Sequence, residues 1–354
     1  MIYNTQPNIR IFLPERVNEI PDTKECPVGA SPRGTRRSLS LMRSVSYDPV
    51  QLSASLDDLI KEIKNLPGES SFLVVRLGAT RMEPVAAYNA DRPLAIGSAF
   101  KLYVLSELLR AINKRERKWS DVATLRPEAV SLPSGILQAW PAGSPLTLHT
   151  LAALMISISD NTAADQLLSV LGRGNVEKIL AITGHSKPEL DMPFLSTLEM
   201  FRLKGDPGGT LARAYLSKSP QERRAFLNGP LLQVKREAIA FPGLPFDIGS
   251  IEWFASATDL CRAMNWIRLN SESAPGDEAR RILAINPGLG LSKEKWKYVG
   301  YKGGSEPGVI NMTYLLQSAN GNWYTLSASW NNPKAPIEES KFISLVGRAI
   351  ELIQ

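Results

Sequence analysis

The position of the strand-like segments constrains this chain most: they occupy both ends and bracket a long helical middle. Near the start, SFLVVRLG and PVAAYN, joined by a short polar ATRME, read as a β-hairpin. Near the end, KYVGYKGG, GVINMTYLL and NWYTLSASW are rich in aromatic and β-branched residues and are separated by turn residues. The sheet must therefore draw strands from both termini, which makes the chain α+β. Ahead of the hairpin, Leu52, Leu56, Ile60 and Ile63 recur at helical spacing. After it, SAFKLYVLSELLRAINKR predicts a long helix with a broad apolar face of Leu102, Leu105, Leu108, Leu109 and Ile112. From about 145 to 285 the clearest helical pieces are LTLHTLAALMISIS, AADQLLSVLG, SPQERRAFLNG and ASATDLCRAMNWIRL. A last helix, PIEESKFISLVGRAIELI, carries Pro336 near its first turn.

Residues 1–50, rich in Pro, Arg and Ser and without sustained periodicity, read as an arm or linker, partly disordered. The remainder, 51–354, reads as one catalytic domain. Its sheet lobe comes from 51–95 and 290–354, and its helical lobe from 96–289. No internal repeat is evident.

Composition narrows the classes further. With 354 residues, 44% hydrophobic and 21% charged, the chain is neither collagen-like, nor wholly disordered, nor a disulfide scaffold. A net charge of +6 suits anionic small ligands and is too small to argue for nucleic acid. The basic stretch SPRGTRRSLSLMR offers charge alone towards a nucleic-acid or membrane partner, and neither a nucleic-acid partner nor a membrane span is expected. Cys26 and Cys261 leave room for one disulfide, and no CxxC pair offers a zinc site. No apolar run reaches the roughly 20 residues that cross a bilayer. The N-terminus lacks the apolar core of a secretory signal, and Arg36-Arg37 is followed by polar sequence, so the chain as written is expected to stay in the cytoplasm.

Catalytic motifs are informative first by absence. There is no G-x-S-x-G, P-loop, HExxH or strand-linked GxGxxG. The two histidines, His149 and His185, sit in an amphipathic segment and a Gly-His-Ser-Lys-Pro loop, where surface and turn roles suffice.

Three short elements remain. Ser98 and Lys101 form S-x-x-K at the head of the long helix, one turn apart on one face. The positive helix terminus favours an alkoxide on Ser98, and a partly desolvated Lys101 can act as its base. Ser159-Asp160-Asn161 lies between two helical stretches, where a turn would project Ser159 as a proton relay and Asn161 as an amide for a substrate's acyl arm. Lys302-Gly303-Gly304-Ser305 ends a strand, where the glycines admit a substrate backbone and the ammonium meets a carboxylate.

In this order, S-x-x-K, S-D-N and K-G-G resemble the serine β-lactamase and penicillin-binding protein superfamily, its class A branch most. The resemblance runs from about residue 51 to the C-terminus. It implies a DD-peptidase/β-lactamase-like fold, with an antiparallel five-stranded sheet packed with helices and an all-helical lobe. It implies acyl transfer through a Ser98 ester, with Lys101 activating Ser98 and Ser159 and Lys302 forming a proton path. Backbone N–H groups of Ser98 and Ser305 would form the oxyanion hole. Lys302, Gly304 and Ser305 would hold the substrate carboxylate and Asn161 its acyl arm, with Asp160 and Gly303 completing the motifs structurally. No metal or organic cofactor is implied. The partner expected is a small carboxylate-bearing molecule (β-lactam, ester or peptidoglycan-like amide), bound by a monomer, although relatives are usually periplasmic or secreted.

Two departures stand out. K-G-G lacks the hydroxyl that normally follows the lysine, and Ser305 is the nearest substitute. The E-x-x-L-N motif, whose glutamate lets class A enzymes hydrolyse the acyl-enzyme, is missing. KPELDMPFLSTLEMFRLKG stands in its place, with Glu199 the best surviving acid and Glu189 and Asp191 next. The reading is a β-lactamase with esterase activity as a variant. The alternative is a D-Ala-D-Ala peptidase or penicillin-binding protein, or a sensor acylated without turnover.

Overall fold

The computed structural model describes residues 55–353, apart from Thr80, Pro207, Phe241, Pro242 and Ser273. The arm expected over 1–50, its basic stretch and Cys26 lie outside the described residues. Cys261 is a buried free thiol.

The chain enters through α1 (Leu56–Lys64), capped by Ser55, whose hydroxyl accepts from the Asp58 amide. It then forms the hairpin β1 (Glu69–Leu77) and β2 (Met82–Tyr88) and the short β3 (Leu94–Ala95). A 3₁₀ turn, Gly97–Phe100, leads into α2 (Lys101–Asn113). The sequence reading placed Ser98 on the long helix itself; it lies instead in this tighter turn.

The helical block comprises β4 (Val122–Thr124), β5 (Pro145–Thr147), α3 (Leu148–Ser157), α4 (Asn161–Leu171) and α5 (Arg173–Ile182). It continues through α6 (Thr197–Lys204), α7 (Thr210–Leu216), α8 (Pro220–Leu227), β6 (Phe254–Ala255), α9 (Ala257–Leu269) and α10 (Asp277–Leu283). Strands β7 (Trp296–Glu306), β8 (Val309–Ser318) and β9 (Trp323–Asn331) return to the sheet, and α11 (Glu339–Leu352) closes the chain. Pro336 precedes α11 rather than lying in its first turn, because Glu338 is the N-cap.

The five-stranded sheet has the order β2-β1-β9-β8-β7 with every pair antiparallel, so strands from both ends of the chain meet at β1 and β9. This leaves β7 at an edge. From Ser70 to Val75 both faces of β1 are covered, which explains why FLVV is a continuous apolar run rather than an alternation. Phe72 and Val74 face a core shared with Leu59, Ile63, Phe342 and Leu345 of α1 and α11. Arg348 ties those two helices together by a bidentate pair with Glu62, at 2.9 and 2.7 Å. Leu73 and Val75 face the larger core around α2, α4, α5 and α9. Helix α2 is buried on nearly all sides, beyond the single apolar face expected of it. Among the described residues, no helix is long and apolar enough to cross a membrane.

Candidate active site

Three elements bring the site together, and two of them depend on unusual backbone. Gly97 holds φ +49°, and a Cβ there would stand 3.2 Å from the Ser305 nitrogen. Gly304 leaves no room for any side chain: a Cβ would lie 2.2 Å from the Ile96 oxygen and 2.4 Å from the Ser98 nitrogen. Edge strand β7 and the Ser98 turn can approach this closely only because residue 304 is glycine. The chain entering the turn is clamped from β9, where the Asn331 side chain accepts from the Ala95 amide at 2.8 Å and donates to its carbonyl at 3.0 Å. Behind the turn, Phe100 stacks on Trp253 with ring centroids 3.8 Å apart.

Lys101, the first residue of α2, is completely buried. Its Nζ lies 3.1 Å from Ser98 Oγ, 3.1 Å from Ser159 Oγ, 2.7 Å from Asn161 Oδ1 and 2.6 Å from the Ser159 carbonyl. Burial and the neighbouring Lys302 ammonium hold its pKa well below the ordinary 10.5. Ser98 Oγ and Ser159 Oγ stand equally far from this amine, so both hydroxyls are placed to exchange a hydrogen bond with it.

Ser159 reaches the cluster through a left-handed backbone, φ +58°, in the turn between α3 and α4. Non-glycine residues in that region cost about 1–3 kcal/mol and persist where surrounding contacts over-determine them. Here Lys101 and the Ser134 hydroxyl, at 2.7 Å, both donate to the Ser159 carbonyl. Ser159 Oγ also lies 3.1 Å from Lys302 Nζ, so one hydroxyl bridges two buried amines. Lys302 is held at a pKa of about 7 by burial, and its ammonium also donates to the Gly303 carbonyl.

The other predicted residues divide into those brought to the cluster and those used elsewhere. Asn161 joins it, yet its oxygen is taken by Lys101 and its nitrogen donates to the Leu132 carbonyl at 3.2 Å. Asp160 caps α4 through the Ala163 amide and accepts from the Ile136 and Leu137 amides at 2.6 and 2.9 Å, which pins the facing loop. Ser305 is exposed at the end of β7.

Glu199 is a correction. It is the third residue of α6 in a reciprocal cap with Ser196, and Arg173 grips both its oxygens at 2.9 and 2.6 Å. It is neither a solvated helix glutamate nor a base free to hold water, and no hydrogen bond links it to the Ser98 cluster. Glu189 is exposed, while Asp191 is buried beside His185, 3.3 Å away, and accepts from the Phe254 amide. The turn role expected for His185 therefore understates its burial. His149 is part-exposed and paired with Glu278 at 2.9 Å.

Sequence reasoning missed Asp165. Buried in α4, it accepts from the Thr197 and Leu198 amides at 2.7 and 3.0 Å and so anchors the start of α6 beside the site. Burial lifts its pKa to about 7. The signal was its spacing: four residues after Asn161, it lies on the same helix face.

Residues 51–225 match a family model described as the β-lactamase enzyme family. Among solved structures, PBP-A is 17% identical and covers 83% of this chain and 95% of its own, with a TM-score of 0.57. A β-lactamase from Sphaerobacter thermophilus is 20% identical, covering 84% and 96%, with a TM-score of 0.56. One from Francisella tularensis is 15% identical, covering 85% and 97%, with a TM-score of 0.57. No curated protein sequence matches the chain. Over residues 51–225 the chain thus matches the β-lactamase enzyme family, and the fold it builds is that of the β-lactamases and penicillin-binding proteins.

Proposed function

We propose that the chain is a serine hydrolase that forms a covalent acyl-Ser98 intermediate, acting on β-lactams and on activated esters. One observation carries the reading: a completely buried lysine amine 3.1 Å from Ser98 Oγ, joined through Ser159 Oγ to a second buried amine on Lys302. Neutral Lys101 removes the Ser98 proton as Oγ attacks the substrate carbonyl. The Ser98 and Ser305 amides receive the oxyanion, an interaction whose removal typically costs roughly 10²–10³ in rate. The carbonyl re-forms as the leaving nitrogen or oxygen departs with the proton of Ser159, which the Lys302–Lys101 pair replaces. Lys302, while protonated, attracts a substrate carboxylate. Asn161, fully engaged by Lys101 and Leu132, acts first as a strut for the base, and its contact with an acyl arm requires one of those bonds to yield.

The second half-reaction is where the readings separate. Among the described residues no carboxylate hydrogen-bonds to Ser98, Lys101, Ser159 or Lys302, and Glu199 is committed to Arg173. Water attack on the acyl-enzyme therefore finds no carboxylate base hydrogen-bonded to this cluster among the described residues. This favours slow β-lactam turnover, with esters cleaved more readily. It also keeps a penicillin-binding or sensor role as the second reading. One relative of this fold, a PBP-A variant, is known as an acyl-enzyme complex with penicillin G.

Incubation with a fluorescent penicillin tests the proposal. We expect labelling of the wild type and none of Ser98→Ala, with decay of the label over hours giving the deacylation rate. A wild type that is never labelled refutes the acyl-Ser98 reading. A label that never decays, with no nitrocefin or p-nitrophenyl ester turnover, assigns the sensor role.

A further inference from the structure

The residue following Lys302 is glycine, so the hydroxyl that would flank the ammonium is absent from the sequence at that position. Another residue's hydroxyl occupies the space at that position. Strand β7 runs without irregularity from Tyr298 to Glu306, so alternate residues Tyr301, Gly303 and Ser305 project from one face. The Tyr301 side chain leans along the strand, and its hydroxyl lies 2.1 Å from where a Gly303 Cβ would begin. It occupies the space that a side chain at 303 would fill.

The ring is held there by a fitted slot. It sits against Tyr314 across the β7–β8 pair, with centroids 4.7 Å apart. On its other side is Gly288, at φ +71°, where a Cβ would stand 2.6–2.7 Å from two ring carbons. Glycines at 288 and 303 thus make room for the ring and for the hydroxyl respectively. The hydroxyl has no hydrogen-bond partner among the described residues, and the side chain is only half-buried. Burial and the Glu339 carboxylate push the phenol further up from its ordinary value, so it remains a donor throughout the working range. Gly303 is flanked on both sides: Tyr301 Oη at its missing Cβ, and the Lys302 ammonium on its carbonyl.

We propose that Tyr301 is a substrate-binding residue whose hydroxyl, together with Lys302 and Ser305, receives the substrate carboxylate in place of the absent side-chain hydroxyl at position 303. This rests on the acyl-Ser98 reading. A donor to a charged group contributes about tenfold or more in affinity, and a neutral substrate gains nothing from it.

The test compares acylation kinetics of wild type and Tyr301→Phe with a fluorescent penicillin, which bears a carboxylate, and with p-nitrophenyl acetate, which does not. We expect the apparent dissociation constant for the penicillin to rise about tenfold at an unchanged limiting rate, and both constants for the ester to stay within about twofold. Adding Gly303→Ser to Tyr301→Ala, which vacates the slot and returns a hydroxyl to 303, should recover penicillin affinity relative to Tyr301→Ala alone. Unchanged penicillin affinity in Tyr301→Phe overturns the assignment, as does an equal loss for both substrates, which marks a merely structural role. Either result leaves wild-type labelling at Ser98 intact, and so is distinct from failure of the acyl-enzyme reading.

Discussion

Burying Lys302 brings an amine into the candidate site at the expense of the fold, and the size of that cost can be worked out. The side chain is 3% exposed, and burial lowers its pKa from 10.5 to about 7. At about 1.4 kcal/mol per pH unit, the charged folded state is penalised by about 5 kcal/mol. Lys302→Met keeps a similar stem and removes the ammonium. It also forfeits the charge-assisted hydrogen bonds to Ser159 Oγ and the Gly303 carbonyl, worth about 1.5 kcal/mol each. At pH 6, where folded and unfolded wild type both carry the charge, the variant should be more stable by about 2 kcal/mol. Between pH 7 and 10.5 the unfolded chain holds more protons than the folded one, so wild-type stability rises with pH. By pH 9 the wild type has recovered about 3 kcal/mol, and the advantage of the variant should be gone. Urea unfolding of both proteins at pH 6 and pH 9 measures this directly. A variant no more stable at pH 6, or an advantage equal at the two pH values, would refute the argument that an unsolvated charge dominates here.

Two further outcomes follow from the same geometry. Lys302 carries its charge below about pH 7 and loses it above. The KM for nitrocefin should therefore climb from pH 6 to pH 9 while that for p-nitrophenyl acetate stays level; parallel profiles would remove Lys302 from carboxylate binding. Glu199→Gln breaks the pair with a mostly buried Arg173 and should lower stability by about 3 kcal/mol. The lifetime of the acyl-enzyme should be unchanged, and an accumulating label would restore Glu199 to the deacylation step.

Of the fold, the strand-rich ends were legible because a sheet covered on both faces requires unbroken apolar runs, as in Phe72 to Val75. The helix around Leu102–Ile112 was legible because burial imposes a helical apolar period. Ser98, Lys101, Ser159 and Lys302 could be picked out because short motifs keep residue type and local spacing. Glu199 was misjudged because whether a carboxylate is free depends on what faces it, and Arg173, 26 positions earlier, comes beside it only when α5 and α6 pack. Asp165 likewise acquires its role only when the start of α6 turns two amides towards it.

Residue types and their order along the chain thus determine the α+β class, the strand-bearing ends and the identity of the candidate reactive side chains. Tertiary structure decides their states. Whether Lys101 and Lys302 hold protons follows from water excluded by segments far apart in sequence, and whether Tyr301 stands in for a missing hydroxyl follows from space left by Gly288 and Gly303. Solvation and free volume belong to the packed whole, so neither can be read from any local stretch of the chain.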